Sequence, residues 1–232
     1  MRARQRGLPL VDSKKVQATA LCAILWMGFA VAYPNNVLAQ FFQSSGGTVK
    51  VGDRWVYDTR DEMNGYPKET YTEIVTELSP EETIVNMTFS GSTASVFVTY
   101  DRDWNCIDNL IWRFRPSNGE GITLPLAVDK TWGIEFDARN SQTGANFKGS
   151  SSSKVVAREN ITTPAGTFDT FKIERQVRQF ETADPSKVIE SQIILWYAPQ
   201  INRFVRRTSL VKFEERTRSI TTEELADFTR KL

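Results

Sequence analysis

The sequence predicts an all-β domain: a single antiparallel, strongly curved sheet or open barrel of roughly ten strands, preceded by a signal-peptide helix. Three observations predict it. From Lys50 onward apolar and polar residues alternate with period two, Val, Ile, Thr, Tyr, Phe and Trp are enriched in the alternating runs, and turn residues recur about every ten positions. A twisted sheet of that many strands does not stay flat, so it curls.

The strands follow in order. Arg54 to Arg60 sets Trp55, Tyr57 and Thr59 on one face. Thr70 to Leu78 ends at Ser79-Pro80, and Thr83 to Phe89 aligns Val85, Met87 and Phe89 before Gly91. Ala94 to Arg102 alternates Val96, Val98 and Tyr100 against Phe97 and Thr99, and Leu110 to Arg115 sets Leu110, Trp112 and Phe114 on one side. Trp132 to Ala138 directs Trp132, Ile134 and Phe136 inward and Glu135 and Asp137 outward. One wet and one dry face is the pattern of an antiparallel sheet. The Gly- and Ser-rich stretch from Asn140 to Ser153 reads as a mobile loop. The later strands are Lys154 to Glu159, Thr167 to Val177, Val188 to Tyr197 and Phe204 to Phe213. The tail at Thr221-Thr222-Glu223-Glu224-Leu225 has a helix-cap pattern and equally suits a last edge strand.

Ahead of the sheet, Arg2, Arg4, Arg6, Lys14 and Lys15 lead into an apolar run from Ala18 to Ala32. A basic start followed by about fifteen apolar residues reads as a secretory signal peptide, since the run is short of the roughly twenty that cross a bilayer as an anchor. Val37-Leu38-Ala39 places cleavage after Ala39, with a second candidate cut after Ala32. Cys22 follows Leu21 inside the apolar run, which does not suit lipidation. The expected organisation is therefore a signal peptide over 1–39, a short linker over 40–49 and one β-rich domain over 50–232. Its expected localisation is periplasmic or secreted.

Removing residues 1–39 takes five basic residues and one acid from a chain of net charge +1, leaving −3. That balance gives no reason to expect nucleic acid or an anionic membrane as partner. One cysteine, Cys106, remains, so no disulfide within the chain is expected and the thiol reads as a buried small side chain. No later stretch is long and apolar enough to span a membrane as a helix.

The chain contains no histidine, which removes Ser-His-Asp and Cys-His arrangements and His-ligated zinc. Any catalysis would fall to carboxylates, such as Asp101 with Asp103 or Glu135 with Asp137. The segment DRDWNCID sets Asp101, Asp103, Asn105 and Asp108 at the spacing that opens a Ca²⁺ loop, but Cys106 and Trp112 stand where such a loop needs Gly and Glu. The competing reading is a polar hairpin turn bonding its own backbone. No cofactor is expected beyond that Ca²⁺ candidate.

Arg175 falls in phase with Phe171, Ile173 and Val177 on an apolar face. It is either an anion-binding cation inside a cavity or a rim residue whose guanidinium reaches water. With Trp132, Trp196 and Tyr197 it forms the candidate ligand-binding set. Arg203, Arg206 and Arg207 make the dense basic patch, read as a solvated strand end.

The segments VGDRWVYDTR, LPLAVDKTW, TTPAGTFDTFKIERQ, LWYAPQINRFVRR and TTEELADFT resemble the exported bacterial TapB-like group, a DUF3108-like family, from Val49 to about Phe228. Asp129 and Asn202 stand where that group often has Gly, and both residue types tolerate a left-handed turn. The resemblance implies an all-β domain of the cell envelope, akin to the curved sheets of periplasmic lipoprotein and lipid carriers, and brings no catalytic residues. The expected role is a non-catalytic envelope protein binding a lipid or other apolar or amphipathic small molecule. The alternatives are docking of an envelope protein by an edge strand or loop, and a carboxylate-based hydrolase.

Overall fold

The computed structural model of the chain describes residues 48–231. The expected signal peptide, and the expected linker up to residue 47, lie outside the described residues. Twelve strands run in chain order. The first four are β1 (Arg54–Asp61), β2 (Pro67–Leu78), β3 (Glu82–Phe89) and β4 (Ser95–Asp101). Next come β5 (Cys106–Asp108), β6 (Trp112–Arg115), β7 (Thr131–Asn140) and β8 (Asn146–Thr163). The last four are β9 (Gly166–Glu181), β10 (Val188–Ala198), β11 (Arg203–Phe213) and β12 (Arg216–Thr229).

Each strand pairs antiparallel with its neighbours in sequence, and β1 pairs with β12, so the sheet closes into a barrel. The expected all-β antiparallel fold is the one observed, with curvature carried through to closure. The sequence tail supplies the closing strand: Trp55 faces Phe228 and Thr59 faces Glu223 across the β1–β12 seam. Of its two readings, strand is the one that folds, because pairing to both β1 and β11 satisfies its backbone on both sides. No helix among the described residues is long and apolar enough to cross a membrane. The outer face of β9 carries Lys172, Glu174 and Arg178, which is not the apolar band of a lipid-facing barrel wall.

The expectation of a mobile loop over Asn140–Ser153 is overturned. Only Ser141 to Ala145 turn, and Asn146 onward belongs to the eighteen-residue β8. A run of serines hides its own alternation: Ser151 and Ser153 are buried while Ser152 is exposed. Tertiary pairing to β7 and β9 overrides the low strand propensity of this stretch. Asp129 and Asn202 do take left-handed turn conformations, with φ of 69° and 53°.

The inward faces build one core. Tyr57 stacks between Tyr71 and Phe204 at centroid distances of 5.2 and 4.5 Å, and its hydroxyl donates to the Phe204 carbonyl at 2.9 Å. Trp55, Val75, Val85, Val155, Ile173 and Leu225 are fully buried around it. Each such side chain contributes about 1.5–3 kcal/mol. Alternation along a meander puts the β1–β2, β3–β4, β5–β6 and β7–β8 turns at one end of the barrel. The β6–β7 connection belongs to the other end, and it enters the barrel instead of crossing outside. Ser117, Asn118, Gly119, Gly121 and Ile122 are buried. This inserted segment positions the site.

Candidate functional site

A cavity of about 640 Å³ occupies the barrel interior. Its walls are apolar, from Met87, Phe89, Val96, Val98 and Phe114. At the mouth, the β5–β6 turn places Leu110 and Ile111, which are 64% and 44% exposed. Deeper, the lining turns charged, with Glu73, Arg203, Arg207, Glu120 and Arg175.

That charged floor consists of one fully buried ion pair, a second pair whose arginine is about a third exposed, and one further cation. Glu73 of β2 accepts from Arg203 of β11, with the two residues only 2% and 5% exposed. The Arg203 guanidinium also lies 4.0 Å from the Trp104 ring centroid and 5.2 Å from that of Tyr100. Although burial disfavours the Arg203 cation, Glu73 outweighs it and the pKa is raised. In the second pair Arg207 donates twice to Glu223 of β12, which also accepts from the Tyr71 hydroxyl at 2.9 Å. Burial pushes the Glu223 carboxyl up, but Arg207 and Tyr71 win and hold it below its ordinary value.

Arg175 of β9 differs from both. Its Nε donates to Ser153 Oγ at 2.8 Å, Nη2 to the Gly121 carbonyl at 2.7 Å and Nη1 to the Glu120 carbonyl. It is 2% exposed, so the expectation of a rim guanidinium in water is overturned. The cause is the inserted segment, whose carbonyls replace water as its acceptors. Its partners are neutral, and burial, chiefly, lowers its pKa to about 10.

The inserted segment is fastened from several sides. Asn118 Oδ1 accepts from the Cys106 and Glu120 amides, Asn105 Oδ1 accepts from the Gly121 amide at 2.7 Å, and the Ser151 hydroxyl donates to the Gly119 carbonyl. Cys106 is buried against it, and burial above all pushes its thiol up to about 12. A neutral thiol there is a poor nucleophile at neutral pH.

The residues anticipated from the sequence are dispersed. Arg175 and Tyr197 line the cavity, whereas Trp132 and Trp196 do not. Trp196 shares the outer face with Lys172 and Arg206, whose cations approach its ring at 5.4 and 5.7 Å, and its Nε1 donates to Glu159. Trp132 is part-buried against the core and borders a separate groove of β7, β8 and β9. The basic patch also divides. Arg203 and Arg207 face the interior and Arg206 pairs outward with Glu224, so the solvated-strand-end reading is overturned for the first two. An extra residue in β11, where Trp196 faces Arg206 and Tyr197 faces Phe204, re-aims the strand.

Around the anticipated Ca²⁺ loop, Asp101 accepts from the amides of Asp103 and Asn105 and from Asn105 Nδ2, all at 2.9 Å. Asp108 accepts from the Leu110 amide and pairs with Arg113. These oxygens meet N–H donors, as in a polar turn. Among the described residues no group of three His, Cys, Asp or Glu side chains is placed to hold a metal ion.

Glu73, Glu223, Glu120 and the inserted segment were not anticipated from the sequence. For Glu73 a cue existed, since it is in phase with Tyr71 and Val75 on β2.

The fold and site define a class: a closed antiparallel meander barrel with an internal, part-charged cavity. Within it, residues 135–212 match the model of the DUF3108-like family, which covers β8 to β10 and most of β7 and β11. No curated protein matches the sequence. Among solved structures, a "putative lipoprotein" from Parabacteroides distasonis is similar with a TM-score of 0.53 at 14% identity, over 78% of this chain and 96% of that one. A Bacteroides fragilis protein with a YmcC-like fold gives a TM-score of 0.49 at 16% identity, over 78% and 97% of the two chains. At these identities the likeness concerns the fold alone.

Proposed function

We propose that this chain is an exported, non-catalytic envelope protein that holds an apolar or amphipathic small molecule inside its barrel. The observation that carries the reading is the cavity of about 640 Å³, apolar along its walls and open between Leu110, Ile111 and the neighbouring strand ends. A concave volume of several hundred cubic ångströms with apolar walls and polar groups gathered at one end is the form of a small-molecule site. Export rests on the basic and apolar N-terminal run, with the mature chain starting after Ala39 in the periplasm or outside the cell. Binding is favoured over catalysis because Glu73 and Glu223 are committed to ion pairs and Asp137 pairs with Lys148 on the outer wall. Partner docking by strand addition is left only the edges that the short β5 and β6 do not cover, at Ser95–Val98 of β4 and Thr131–Phe136 of β7.

The neutral dye N-phenyl-1-naphthylamine tests the cavity. Its fluorescence is expected to rise saturably with the native protein. Val96→Trp, which places an indole in the upper cavity from β4, is expected to weaken dye binding by at least about tenfold while the protein stays folded. Equal binding by both proteins would place the dye elsewhere and remove the reading.

A further inference from the structure

We propose that the molecule held in the cavity carries an acidic head, a carboxylate or phosphate on an apolar chain, seated on Arg175 at the cavity floor. This rests on the cavity being a binding site. Arg203 and Arg207 each have a carboxylate of their own, in Glu73 and Glu223. Among the described residues Arg175 makes no ion pair: its acceptors are a hydroxyl and two carbonyls. A guanidinium has five N–H donors, and those three bonds use three.

A buried cation whose hydrogen bonds all go to neutral groups has lost water without gaining a carboxylate in direct contact. Its remaining donors and the cavity face on which it lies are where an anion recovers that loss. Arg207 lines the same cavity and adds positive potential at Arg175. One carboxylate opposes this. Glu120 also lines the cavity, makes no ion pair among the described residues, and acts on Arg175 as a favourable charge. It is the chain's own charge acting on Arg175, and a ligand anion competes with it. The direction of the ligand follows from the lining. Its acidic end goes to the charged floor, and its apolar chain lies along Met87, Phe89, Val96 and Val98 toward Leu110 and Ile111.

Displacement of N-phenyl-1-naphthylamine near neutral pH and at low salt tests this with four competitors: dodecanoate, dodecyl phosphate, dodecanol and inorganic phosphate. The acidic chains are expected to displace the dye at about tenfold lower concentration than dodecanol. Inorganic phosphate alone is expected to have no effect on either. Glu120→Gln is expected to widen the preference for the acidic chains. Arg175→Gln is expected to abolish it and leave dodecanol unchanged. Should Arg175→Gln fail to fold, the native comparison and Glu120→Gln still decide. Equal displacement by dodecanol and dodecanoate overturns the acidic head while the cavity reading stands. Inorganic phosphate blocking dodecanoate but not dodecanol would assign Arg175 to a free ion and also overturn it. Failure of the dye to bind native protein ends both.

Discussion

Arg203→Met is expected to destabilise the barrel by about 3–5 kcal/mol, read as a lower urea midpoint at unchanged slope. The substitution removes the partner of a carboxylate that is itself buried, since Glu73 is 2% exposed and accepts from Arg203 and Tyr100. Stranding that charge costs more than the lost attraction, because at 2% exposure little water can solvate it. The double variant Glu73→Gln with Arg203→Met is expected to recover part of the loss, because the stranded charge goes with its partner. On the outer wall the same chemistry has little effect. Arg158 pairs with Asp169 with both side chains about half exposed, so Arg158→Ala is expected to shift stability by less than about 1 kcal/mol. Comparable losses at the two sites would contradict the assignment of Arg203 as an interior anchor.

Gly121→Ala is expected to be the most damaging single-methyl change, costing about 3 kcal/mol. A Cβ there would lie 2.2 Å from the Asp103 carbonyl oxygen and 2.6 Å from the Asn105 amide nitrogen. Both are backbone atoms, so no rotamer change relieves the clash. The inserted segment has to move, and the Gly121 carbonyl then leaves Arg175. The same variant should therefore change the cavity: weaker binding of N-phenyl-1-naphthylamine is expected alongside the lower urea midpoint. Near-native stability with unchanged dye binding would show that the segment is not held as described.

The wall of the barrel was legible because period-two alternation is a local property. Trp55, Tyr57 and Thr59 on β1, and Val96, Val98 and Tyr100 on β4, share faces as their spacing requires. The same arithmetic found Arg175 and would have found Glu73, whose charge between Tyr71 and Val75 marks an inward polar residue. Which cation meets it was not legible, because Arg203 lies 130 residues away and is aimed by an irregularity in β11. Glu223 was hidden by a tail that fits a helix cap as well as a strand, and only closure onto β1 decides between them. The inserted segment has no periodicity. Its burial follows from bonds to Asn105, Cys106, Ser151 and Arg175, which come from other parts of the chain. The β8 serines show the opposite failure, where Ser repeated without apolar partners masks a strand that long-range pairing imposes.

Native mass spectrometry of protein recovered from the cell envelope without detergent tests most directly whether the interior is a ligand site. The predicted spectrum shows a fraction of the protein carrying one small apolar molecule, absent from Val96→Trp prepared in the same way. Native protein that carries no such molecule, and takes up none when dodecanoate is supplied, would contradict it.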